Sequence, residues 1–285
     1  MNFIYLSIGN DPIHHARCCF SIITLLKHNA SHPIFVYTDA PQFYKAVESV
    51  VTIKELTPER VKDWCGDYGF WRVKIKSMED MANQSSEPVV LVDTDTFWYN
   101  GFKQMVDDVN NGIAYLHLDE GKLNNMKHTP YRMWKGVRGK TFAGLTINES
   151  MTMWNSGFVA IPVEKQQECL KLALELCDSI VASGVRYYLV EQYSFSIALN
   201  HCYTVKPASG FVAHYWGNKP EWDLYIKDFM ATQYLKGNSI EQSVKDINDS
   251  DLYKIPIFKH TSSRKPSIDR LLNKLLVKRK KWIEK

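Results

Sequence analysis

"EPVVLVDTDTFWYN", residues 87–100, runs four apolar side chains straight into two aspartates separated by one threonine. An unbroken apolar run of this length fits a strand buried on both faces. The same pattern recurs upstream. "FIYLSIG" (3–9) reads as a first strand, and Pro12 opens a helix to about residue 28. "PIFVYTD" (33–39) is a second strand, Pro41 begins another helix, and "VTIKEL" (51–56) is a third strand. "ERVKDWC" (59–65) and "GFWRVKIKSMEDMANQ" (69–84) read as helices leading into the fourth strand. Strands alternating with helices predict an α/β fold with a mostly parallel central sheet and helices on both faces.

Downstream, "GIAYLHLD" (112–119) and "TMWNSGFVAIP" (152–162) read as strands, with an irregular segment expected over 120–150. Helices follow over 163–183, where apolar residues recur at helical spacing, and at "VEQYSFSIALN" (190–200). "GFVAHYWGNKPEW" (210–222) is a strand entering a turn. A polar stretch, 237–250, is expected to divide one large domain (1–236) from a C-terminal helical extension (237–285).

The chain has 285 residues, enough for a sizeable core, with no disorder-prone composition. Its first residues lack the basic start and long apolar run of a signal peptide, and no segment suits a membrane span. The six cysteines form no CxxC pair and are expected reduced, which points to the cytoplasm. Residues 264–285 hold nine Lys/Arg against Asp269 and Glu284, a balance of +7. The rest of a chain that is +4 overall therefore carries −3. Within the tail, Leu271, Leu272, Leu275, Leu276, Ile283 and Trp282 alternate with basic residues, as in a helix lying on an anionic membrane surface. Basic charge confined to the tail argues against a nucleic-acid partner.

Side chains two apart on a strand share a face, so Asp93 and Asp95 face together if the strand persists. Two neighbouring buried carboxylates repel, and a hard divalent cation, Mg²⁺ or Mn²⁺, relieves this. Spacing alone is weak evidence. A second DxD, Asp249-Ser250-Asp251, has no strand before it and reads as a turn or helix cap. A strand followed by "DTDT" also suits two chemistries. It resembles the haloacid dehalogenase-like phosphatases, where Asp93 would be a nucleophile. It equally resembles the nucleotide-sugar glycosyltransferases of the Rossmann-like GT-A fold, where both aspartates serve the metal on the donor diphosphate.

"HYWGNKPEW" (214–222) favours the second. It resembles the HxxGxxKPW element of glycosyltransferase family 8, with one residue fewer between Gly217 and Lys219 and with Glu221 inserted before Trp222. The resemblance implies His214 as a third metal ligand, Gly217 for close approach to a phosphate, and Lys219 for the departing diphosphate. Pro220 is expected to hold Lys219 extended. "HTSSRKP" (260–266) repeats the His-to-Lys spacing without the glycine, so His260 is a second candidate ligand. "MWNSGFVAIP" resembles the N-(A/S)-G strand of that fold, placing Asn155 on the donor sugar. "VEQYSFSIAL" resembles the family helix with an Asp-Gln pair, here Glu191 and Gln192. Neighbours on a helix point about 100° apart, so these two are not expected to face the site together. Arg72 and Lys76, four apart on the preceding helix, share a face towards the diphosphate. Ser7, Asp11 and Asp39 follow the first two strands, where the fold holds base and ribose.

The resemblance implies a metal-dependent transferase moving sugar from a nucleotide sugar, most simply a UDP-sugar, to a glycan or lipid-linked hydroxyl. Family 8 retains anomeric configuration, which places Gln192 near the reacting face. Inversion would instead need a base, for which Asp119, Glu120 and Glu191 are candidates. The phosphatase and a non-catalytic sugar-nucleotide-binding protein remain the alternatives.

Overall fold

The computed structural model describes residues 1–28, 32–255 and 257. His260 and the basic amphipathic tail lie outside the described residues. In chain order the elements are β1 (Asn2–Ser7), α1 (Pro12–Leu26), β2 (Ile34–Thr38), β3 (Thr52–Glu55), α2 (Pro58–Cys65), α3 (Val73–Gln84), β4 (Val89–Val92) and β5 (Thr96–Trp98). There follow α4 (Lys103–Asn110), β6 (Ile113–Lys122), α5 (Thr129–Val137), β7 (Thr141–Phe142), β8 (Leu145–Thr146), β9 (Thr152–Ile161) and α6 (Gln166–Ala182). The last are α7 (Val190–Cys202), β10 (Thr204–Pro207), β11 (Val212–His214), α8 (Lys219–Lys236), α9 (Ile240–Asp246) and α10 (Asp249–Leu252).

These elements form two compact units. The first takes the described parts of Met1–Asn10, Ser31–Asp93 and Phe102–Ala208. It holds a seven-stranded sheet in the order β10-β6-β9-β4-β1-β2-β3. The fold is therefore α/β with a mostly parallel central sheet. Only β9 runs antiparallel to its neighbours β4 and β6. All four side chains of β4 are buried, as the unbroken apolar run predicts. Helix α3 lies against β1 and β4, and α7 against β9. The core joins Ile4, Leu91, Leu116 and Val159 of the sheet to Val73, Met78, Leu170, Ile180, Tyr193 and Phe195 of the helices.

The second unit takes the described parts of Asp11–Ala30, Thr94–Gly101 and Ser209–Lys285. It contains α1, the β5–β11 pair and α8–α10, so it draws on residues either side of position 237. Trp222 of α8 packs on Phe97 of β5 at 4.5 Å and stacks on Tyr215 at 5.0 Å. The polar stretch 237–250 is not a bare linker. Gly237 (φ 63°) closes α8 in the left-handed conformation, Ser239 caps α9, and Asn248 caps α10. Asp249-Ser250-Asp251 is accordingly the first turn of a helix, with Asp249 Oδ1 2.6 Å from Lys27 Nζ.

Two further expectations change. Residues 120–150 are ordered rather than irregular. Pro130 starts α5, and Met133, Trp134 and Val137 bury one face of it behind a charged outer face that masked the pattern. β7 and β8 then form a hairpin around Ala143 and Gly144, both at positive φ, as a two-residue turn requires. The helix that Pro41 begins is a 3₁₀ helix over Pro41–Val47. Pro220 sits in the first turn of α8, so Lys219 is helical rather than extended; a proline there lacks only an N–H the helix could not use.

All six cysteines are free. Among the described residues, no helix is long and apolar enough to cross a membrane. Thr57 caps α2 by accepting from Arg60 N, so Thr57→Ala should lower thermal stability by about 1 kcal/mol. A melting temperature equal to that of the parent protein would refute the cap.

Candidate functional site

β4 ends at Val92, one residue before Asp93, so the two aspartates are not strand neighbours on one face. Asp93 N donates to Gly157 O at 2.9 Å, which ties the end of β4 to β9. Its Oδ1 lies 2.6 Å from Lys74 Nζ of α3. Thr94 and Asp95 form a turn, and β5 starts at Thr96.

β5 pairs antiparallel with β11, setting Thr96 opposite His214. Tyr215 N donates to Asp95 O at 3.1 Å. This register brings His214 Nε2 to 3.3 Å from Asp95 Oδ1. Lys219, at the start of α8, puts its Nζ 2.8 Å from Asp95 Oδ2. Burial opposes charge on Asp95, but His214 and Lys219 outweigh it and hold the carboxyl well below its ordinary range. Asp95 and His214 are buried, whereas the Lys219 side chain is 40% exposed.

Asp93, Asp95 and His214 each offer one ligand atom, and these lie within 4.8 Å of one another. Octahedral ligands about 2.1 Å from an ion stand about 3 Å apart when adjacent and about 4.2 Å when opposite. The limit of 4.8 Å exceeds this span, so one divalent cation would draw the three side chains slightly closer together. Two carboxylates and an imidazole are a donor set that Mn²⁺ and Mg²⁺ accept.

Two further basic side chains of the second unit, Arg17 and His14, lie near enough to Asp95 to sense its charge. Arg17 clamps Asp223 through two bonds of 2.6 and 2.7 Å. His14 Nδ1 lies 3.4 Å from Thr94 Oγ1, and burial, then His15 and Arg17, pull its pKa down. Sequence reasoning did not single out His14. Its signal was only its place in the first turn after Pro12.

In the first unit, Asn155 of β9 donates from Nδ2 to Glu120 Oε1 at 3.4 Å and accepts at Oδ1 from Gly157 N at 2.9 Å. Gln192 Nε2 of α7 donates to Glu120 Oε2 at 3.1 Å. Asn155 and Gln192 thus meet on one carboxylate. Glu191 turns elsewhere, as helix geometry predicts. It is 8% exposed and accepts from Ser156 Oγ at 3.4 Å. Burial pushes its carboxyl up to about 7, with Lys74 opposing and Asp93 assisting. Asp119 is exposed and accepts from Gly121 N at 2.8 Å.

The remaining expected residues are dispersed. Ser7 is buried at the end of β1, Asp39 accepts from Gly9 N at 2.9 Å, and Asp11 caps α1 through Ile13 N. Gly217 lies in the turn between β11 and α8. Arg72 and Lys76 do not reach the aspartates. Arg72 pairs with Asp178 at 2.9 Å and donates to Trp64 O, while Lys76 pairs with Glu79 on its own helix. Lys74, between them, is the cation that meets Asp93. The signal was present in "RVKIK", but on α3 Lys74 and Lys76 stand about 200° apart, so the face that meets Asp93 is not the one that carries Lys76.

No family model matches the chain, and no curated protein matches it.

Proposed function

We propose that the protein is a divalent-metal-dependent glycosyltransferase of GT-A type that uses a nucleotide sugar, most simply a UDP-sugar. One observation carries the reading: two carboxylates and an imidazole converge at the end of an apolar strand, each carboxylate already facing a lysine. Asp93, Asp95 and His214 would hold Mn²⁺ or Mg²⁺. When bound, such an ion supplies positive charge to the oxygens of a diphosphate.

The chain's own groups do the rest. Lys219, exposed enough to leave Asp95, offsets charge on the departing nucleoside diphosphate. Lys74 holds the Asp93 carboxylate in place. Asn155 and Gln192 bind sugar hydroxyls, and the retaining outcome puts Gln192 at the reacting face. An acceptor hydroxyl of a glycan or lipid-linked sugar then takes the anomeric carbon.

The test is release of nucleoside diphosphate from UDP-glucose, UDP-galactose and other nucleotide sugars, with and without Mn²⁺. Chelation should stop it, and Mn²⁺ should restore it. Metal-independent release, or none with any donor, would sink the reading. Hydrolysis of an aryl phosphate that disappears in Asp93→Asn would replace it with the phosphatase chemistry. Tight nucleotide binding without turnover would leave a binding protein.

A further inference from the structure

We propose that Glu120 is a positioning residue that fixes the side-chain amides of Asn155 and Gln192; the role rests on the glycosyl-transfer reading. Its place on β6 is irregular in a specific way. Asp119 pairs with Trp154 and Gly121 with Met153, so β6 spends two steps where β9 spends one. Glu120 is the extra residue, and such a bulge re-aims a side chain. Gly121 holds φ 90°, and its N–H is closed by Asp119 Oδ1 at 2.8 Å. Asp119 thus builds the bulge rather than facing a substrate.

The partner strand is irregular at the same level. Between Leu116↔Val159 and Leu118↔Asn155, β9 spends four residues where β6 spends two. Asn155 Oδ1 spans this excess by accepting from Gly157 N. The two distortions bring the Glu120 carboxylate between a strand amide and a helix amide, at 3.4 and 3.1 Å.

A carboxylate accepts hydrogen bonds and does not donate them. Each amide must therefore turn its NH₂ towards Glu120 and its carbonyl oxygen away. For Gln192 this presents Oε1 as an acceptor. The ligand group it fits is a hydroxyl donor, as on a sugar. A glutamine at 120 offers one oxygen and one NH₂, so it satisfies one amide and repels or flips the other.

The experiment compares wild-type, Glu120→Gln and Gly121→Ala proteins. Side-chain NH₂ signals of Asn155 and Gln192 are followed by NMR, UDP affinity is measured with Mn²⁺, and hydrolysis is compared with transfer on a nucleotide sugar. The amide signals should move in both variants, because alanine at φ 90° strains the bulge that aims the Glu120 carboxylate. UDP affinity should stay within about twofold of wild type. Glu120→Gln should lower transfer about tenfold or more and raise the ratio of hydrolysis to transfer, as loss of an orienting partner does. That ratio is independent of how much protein is folded, so a merely structural role would leave it unchanged. Unchanged amide signals or an unchanged ratio overturns the proposal. A wild-type protein inactive on every donor retires the transferase reading alone, and the amide signals then decide Glu120 by themselves.

Discussion

Asparagine in place of Asp95 is expected to cut metal-dependent release of nucleoside diphosphate by at least about 10²–10³-fold, the scale set by losing one preorganised electrostatic contact. Stability should fall far less. Asp95 carries two partners, His214 at 3.3 Å and Lys219 at 2.8 Å. Breaking a fully buried ion pair costs about 3–5 kcal/mol, because one charge is stranded. Here Lys219 is not stranded, since it is 40% exposed and can turn to water. Hydrogen bonds to a charged group are worth about 1.5–3 kcal/mol, and solvent screening reduces the lysine's share. A loss of about 1–3 kcal/mol is expected, or a few degrees in melting temperature. The pH dependence has a definite sign. Asp95 has a folded pKa below its unfolded one, so its contribution is complete above about pH 4 and lost as pH falls through the folded value. The stability gap between wild type and Asp95→Asn should be flat from pH 6 to 8 and close only in acid. Calorimetry for metal affinity, a coupled assay for nucleotide release and thermal melts decide it. Wild-type metal affinity and turnover in Asp95→Asn would remove the aspartate from the site.

Most of the sheet was legible because its strands carry their own signal: β1, β2 and β4 are apolar runs that need no partner to be recognised. The antiparallel insertion of β9 was not, since a strand buried on both faces reads the same in either direction. Residues 120–150 misled for another reason. Helix α5 buries only Met133, Trp134 and Val137, and the segment around it is rich in Lys, Arg and Asn. At the site, Asp93 and Asp95 were named from an apolar strand running into DxD and His214 from the resemblance carried by residues 214–222; the β5–β11 pairing that sets His214 beside Asp95 is encoded by no local pattern. The basic residue beside Asp93 was misread by two positions: Lys74 meets it, while Arg72 pairs with Asp178 and Lys76 with Glu79. Glu120 depends on two bulges in facing strands. A bulge breaks the alternation that makes a strand readable, so its extra residue is the one a pattern places worst.

Glutamine in place of Glu191 is expected to make the protein more stable at pH 8, by up to about 3 kcal/mol, and to leave it almost unchanged near pH 4. Glu191 is buried, its Oε2 accepts from Ser156 Oγ, and its Oε1 has no hydrogen-bond partner. Burial raises its carboxyl from 4.5 to about 7. Between those values the unfolded chain has released its proton while the folded chain retains it. Stability therefore falls as pH rises through this window and levels off above about 7. A gap of about 2.5 pH units corresponds to about 3 kcal/mol. Glutamine keeps the size and an acceptor for Ser156 but has no proton to lose, so its stability should not bend there. Urea titrations of both proteins at pH 4.5, 6 and 8 measure this directly; a gap between them that stays constant with pH would mean that Glu191 does not titrate as its burial implies. The activity of the same variant assigns the residue. A neutral amide would pack at lower cost in this position, and a carboxyl poised near neutrality where it destabilises the fold is what acid–base or charge-stabilising chemistry requires. If Glu191→Gln gains stability and loses transfer, the acid serves the reaction beside Gln192. If it gains stability and keeps full transfer, Glu191 is a packing residue of α7, and Gln192 with Asn155 alone contacts the sugar.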